Sequence, residues 1–205
     1  MHPLLQILVL LGLAFAGLCL GSFLALLLIG QLYGYSLAAF GQLSANPGAS
    51  PHGWAAMMLL QGLTLAGLGA GAAVIPRVVG MPWARYFAPR RLGSAGWLLG
   101  AAVLILLVIP AMSAMVAWNA QVHFSAFLHD FEAWARAKED QNAFLTKFLT
   151  QFRSGARLLV GVVVIAVVPA VAEELVFRGV IQQNLVRWFG SRHAGVWLAA
   201  AIFSA

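Results

Sequence analysis

Apolar positions in this chain fall in long unbroken blocks, not in the one-sided stripes of a water-soluble helix. About 20 consecutive apolar residues cross the hydrocarbon core of a bilayer, and several blocks reach that length. The pattern predicts a first span from Leu4 to Ile29, a second from Trp54 to Ile75 or Val79, and a third from Gly96 to Trp118. A fourth begins near Leu158 and a fifth near Ala194. Trp97 and Trp118 suit the third span as interfacial anchors. Residues 31–53 form an uncharged connector with turn signals at Asn46-Pro47-Gly48 and Ser50-Pro51. Met1-His2-Pro3 lacks the basic start of a signal peptide, and the apolar run after it is too long for one, so the first span is expected to be retained.

Residues 119–153 break this pattern. Phe124, Phe127, Leu128 and Phe131 recur at i, i+3, i+4 and i+7, and Leu145, Phe148, Leu149 and Phe152 repeat the spacing. Two amphipathic helices, lying on the membrane surface or capping a bundle, are expected there. The fold class is therefore all-α: a polytopic transmembrane helical bundle with amphipathic helices in the 119–153 connector. The chain divides into a three-span region over 1–118, that connector, and a segment over 158–205.

Composition agrees. Of 205 residues, 62% are hydrophobic and 9% charged, against about 25% charged in a soluble domain. The net charge of +6 is not a nucleic-acid signal, because the basic residues sit in short connectors and no nucleic-acid motif accompanies them. They report orientation instead. Arg77, Arg85, Arg90 and Arg91 share one connector without an acid, which the positive-inside rule makes cytoplasmic. The N-terminus and the Arg187/Arg192 connector then lie inside as well, and 31–53 and 119–153 outside. An integral protein of a bacterial inner membrane, with the lipid bilayer as partner, fits these features. Cys19, the single cysteine, excludes an intrachain disulfide and a cysteine-based zinc site. The Gly17/Gly21 and Gly67/Gly71 pairs are expected to let helices approach closely within one protomer.

The chemistry concentrates in Glu173-Glu174-Leu175-Val176-Phe177-Arg178, which follows fifteen uncharged residues from Leu158 to Ala172. Ionisable groups at membrane depth are costly and by default mark a functional site. In a regular helix adjacent residues point about 100° apart. Glu174 and Arg178 are i, i+4 with the acid first, the favourable order for an ion pair. Glu173 shares its face with Phe177, Val180 and Asn184 and has no local charged partner. That is the setting of a general base that takes a proton from water. Pro169, one turn earlier, is expected to kink or open the helix.

Glu-Glu-x-x-x-Arg on an apolar helix, continued as Phe177-Arg178-Gly179, resembles the first motif of the CPBP intramembrane proteases. That family includes the type II CAAX prenyl endopeptidases and the lysostaphin-resistance-protein-A-like proteins. Phe203-Ser204-Ala205 resembles the opening of its second motif, Phe-x-x-x-His. The resemblance covers Leu158 to Ala205 and implies an endopeptidase acting on a protein or peptide substrate near the cytoplasmic face, with CAAX-type processing as one form. It implies that Glu173 activates the attacking water and that Glu174 and Arg178 assist. A divalent metal is one family reading, but no HExxH pair is present and no metal ligand is assigned. By the same resemblance the histidines and an Asn that complete the site belong beyond Ala205. The chain is thus expected to be a C-terminally truncated, inactive part of a longer protein.

Two other classes compete with this reading. A non-catalytic scaffold or bacteriocin-immunity protein could keep the same fold. An ion- or proton-coupled transporter would use the two glutamates, but it needs acids on other spans, and the first three have none.

Overall fold

The computed structural model describes residues 1–88, 94–122, 127 and 129–204. These are almost wholly helical, with no strand among the described residues. Four helices are long and apolar enough to cross a membrane: α1 (Pro3–Tyr33) and three described below. This is an all-α polytopic integral membrane protein. α2 (Leu37–Ala45) follows α1 in the connector for which the sequence pattern gave only turns. Its Ser36 N-cap accepts the Ala39 N–H at 3.2 Å, the arrangement that starts a helix. Asn46-Pro47-Gly48 leads into a single 3₁₀ turn, Pro47–Ala49.

α3 (Gly53–Val79) is the second span. α4 (Trp83–Phe87) is a short helix in the next connector. α5 (Ala95–Asn119) is the third span and α6 (His129–Leu149) follows it. α7 is one continuous helix, Gly155–Phe189, and α8 (Arg192–Ser204) packs back along it. α7 begins three residues before the expected start at Leu158. The predicted connector residues Pro89, Arg90 and Arg91 lie outside the described residues, as do Phe124, Leu128 and Ala205. Of the two apolar series, Phe131 falls on the first turn of α6 and Leu145, Phe148 and Leu149 on its end, with Phe152 beyond it.

The chain forms two compact units, residues 89–145 and the remainder. In the smaller, α5 is apolar on every side and buries none of its residues, which suits a helix whose surroundings are lipid. Trp97 and Trp118 are exposed near its two ends. Arg136 bonds Glu132 at 2.8 Å and donates to the Ala120 carbonyl at the C-cap of α5 and to the Val122 carbonyl just past it.

In the larger unit α1 and α3 run antiparallel in close backbone contact. A Cβ on Gly17 would strike the Gly67 carbonyl, one on Gly21 that of Leu63, and one on Gly71 that of Leu13. The two glycine pairs thus serve packing within one protomer. Ser22 and Thr64 hydrogen-bond across the same seam at 2.9 Å. In lipid, with no hydrophobic drive between helices, such close contact and a polar bond of about 1 kcal/mol hold the pair. α7 lies alongside α3 and parallel to it, with Val164 against Gly62 and Ala172 against Gly69. One end of this unit is filled by Leu10, Ile75, Tyr86, Val180, Ile181 and Leu185. The other is closed by Ile29, Leu43 and Ala56.

Candidate active site

The charged motif sits near the middle of α7, where the helix departs from regular winding. Val162–Val167 and Glu174–Gln182 are π-type. Pro169 follows the first stretch after one residue, Val168. Its missing N–H and its clash with the carbonyl one turn back explain why the helix loosens there. The second stretch contains the motif itself, and π-type turns inside α-helices recur at functional sites.

This winding alters the faces expected of a regular helix. Glu173 and Glu174, adjacent in sequence, line one cavity of about 440 Å³ together with Phe177, Arg178 and Gln182. Val180 and Asn184, expected on the face of Glu173, are instead wholly buried in the core. A turn closed by i→i+5 bonds takes more residues than 3.6, so side chains seven and eleven positions on rotate away from the starting face. The pairing of Glu174 with Arg178 holds: Nη1 donates to Oε1 at 3.1 Å. Both side chains are largely uncovered by protein, at 58% and 72% exposure, and Glu173 is half-buried.

α8 supplies the facing wall with Val196, Ala199, Ala200 and Phe203. Phe203, the start of the expected second motif, meets Phe177 edge-on, with ring centroids 4.9 Å apart and planes at 88°. The turn between the helices needs Gly190, whose φ of +63° ends α7. Ser191 Oγ accepts the Ala194 N–H at the start of α8. At Gly195 a Cβ would come within 2.8 Å of the Val186 backbone, so glycine is what allows the two helices to close.

Behind the cavity, α7 is fastened to α4 and α1 by a buried polar chain. Asn184 Nδ2 donates to the Val180 carbonyl at 2.9 Å and to the Tyr86 hydroxyl at 3.4 Å. That hydroxyl donates to Gln6 Oε1 at 3.0 Å. Burial raises the pKa of Tyr86, while its bond from Asn184 and the charge of Arg187 act the other way. Phe87 packs over Gly179, where a Cβ would come within 2.6 Å of its ring. Sequence reasoning missed Gln182 and, in this chain, Gln6 and Tyr86. Gln182 had a signal, since it continues the 174, 178 spacing by four. Gln6 and Tyr86 had none, being distant in sequence from the motif.

Residues 155–205, about a quarter of the chain, match the family model described as type II CAAX prenyl endopeptidase Rce1-like. The segment is similar to that family. No curated protein and no solved structure matches the chain. The Rce1-like segment contains the cavity residues of both α7 and α8. Among the described residues no three His, Cys, Asp or Glu side chains gather as a metal site would require. The donor set in the cavity, two carboxylates beside an arginine, does not by itself fit a metal ion.

Proposed function

We propose that this protein is an intramembrane endopeptidase in which Glu173 activates water for peptide-bond hydrolysis. The observation that carries the reading is the shared cavity. Two carboxylates, Arg178 and Phe203 meet there, in a segment that matches a protease family. Glu173 takes a proton from a water molecule in the cavity, and the resulting hydroxide adds to the substrate carbonyl carbon. Arg178, steadied by Glu174, faces the developing oxyanion. The proton then passes from Glu173 to the departing amine as the C–N bond breaks. The family match favours a CAAX-type protein as substrate. Arg77, Arg85, Arg187 and Arg192 belong to the end of the larger unit where α1 begins, which favours a cytoplasmic N-terminus.

The test is cleavage of a membrane-anchored peptide by the natural gene product in vesicles. Glu173→Gln keeps the shape of the side chain and removes the base. Hydrolysis should fall by about 10²–10⁴-fold, the usual contribution of a general base. Cleavage at the parent rate would sink the assignment. A protein that never cleaves but keeps a binding phenotype after the substitution would favour the scaffold or immunity class.

A further inference from the structure

The end of the larger unit away from α4 holds a second cavity, of about 420 Å³, that hydrolysis does not use. Its size falls in the range of about 300–1,000 Å³ typical of ligand pockets. It is walled by the turn before α3, by Trp54 on the first turn of α3, and by Phe148, and it receives Arg153 and Arg157. The Arg157 guanidinium stands over the Trp54 ring, 4.9 Å from its centroid. The indole N–H donates to the Leu149 carbonyl at 3.0 Å, which fixes the ring by its edge. A guanidinium held over a ring by its charge spends none of its N–H donors on that contact and leaves them for another acceptor. Ser50 and Gln151 add polar groups, and among the described residues no carboxylate lines the cavity.

Two arginines in one cavity without an acid repel each other unless an anion joins them. α3 and α7 are parallel apolar spans, and both begin at this cavity, so it opens where a bilayer has its headgroups. Planar guanidinium forks match phosphate oxygens in pairs, while Pro51, Trp54 and Phe148 offer apolar walls to the lipid beneath. We propose that Arg153 and Arg157 bind the phosphate of an anionic phospholipid headgroup. The site is independent of the hydrolytic reading and stands or falls separately from it.

The experiment places the full-length protein in phosphatidylcholine vesicles with and without phosphatidylglycerol. Retained lipid is read by native mass spectrometry and stability by thermal unfolding. Phosphatidylglycerol should be retained over phosphatidylcholine and should raise Tm. Arg153→Gln and Arg157→Gln should each cut its retention about fivefold, the factor expected for one cation at a membrane surface. Arg153→Lys and Arg157→Lys keep the charge, guard against a folding defect, and should retain more lipid than the glutamine variants. Equal retention of the two lipids would overturn the proposal, as would retention unmoved by the double glutamine variant. Inorganic phosphate alone should leave Tm unchanged; a rise matching that from the lipid would assign the cavity to a soluble anion and overturn the lipid reading.

Discussion

A single methyl group at Gly195, where α8 packs against Val186 of α7, should disable the cavity. Its Cβ would lie 2.7 Å from the Val186 nitrogen and 2.8 Å from its Cα, whereas ordinary contact begins at 3.4 Å. The clash is with backbone, so no rotamer relieves it and α8 must move by roughly 0.6 Å or more. Helix propensity acts oppositely, since alanine is favoured over glycine by about 1 kcal/mol. Overpacking costs about 1–3 kcal/mol, so the net change in stability should be a loss of about 0–2 kcal/mol. The larger effect is positional. α8 carries Phe203 against Phe177, and a misplacement of about 1 Å in a catalytic constellation can cost about 10²-fold. Gly195→Ala should therefore lower cleavage by about tenfold. Geometry can be read without activity by introducing Phe177→Cys and Phe203→Cys in a Cys19→Ala background and timing oxidative cross-linking in membranes. Gly195→Ala should slow that reaction. A variant that cross-links and cleaves as fast as its parent, and melts higher, would refute the packing argument and leave only propensity at work.

Arg178→Gln should separate chemistry from stability. The Glu174 pair is exposed at both ends, and such i, i+4 pairs contribute about 0.5 kcal/mol or less. Tm should therefore shift by no more than about 2 °C, while cleavage falls by about 10²-fold; a collapse in Tm would instead make the pair a structural lock. Tyr86→Phe should cost about 1–3 kcal/mol at neutral pH by leaving Gln6 Oε1 without its donor. Burial makes the folded state hold the Tyr86 proton to higher pH than the unfolded chain, whose value is 10.0. That contribution is complete below pH 10.0 and is lost as pH rises through the folded value. Tm between about pH 9 and 11 should fall more steeply for the parent than for Tyr86→Phe, and parallel curves would refute the coupling.

What the sequence determined on its own was what depends on local composition. An apolar block long enough to cross a bilayer must satisfy its backbone internally, so α1, α3, α5 and α7 were legible to within a few residues. The Glu174–Arg178 pair was legible for the same reason, because neighbours one turn apart meet in any helix. The tertiary structure decided the rest. That Glu173 and Glu174 line one cavity with residues of α8 is seen only once the two helices are packed, and the π-type winding of Glu174–Gln182 loosens the register that a 3.6-residue period assumes. Val180 and Asn184 left the face of Glu173 through that same change. The Tyr86–Gln6–Asn184 chain and the Arg157–Trp54 stack join residues about 80 to 100 positions apart. No period along one helix encodes such contacts; they follow from which backbones glycine allows to touch.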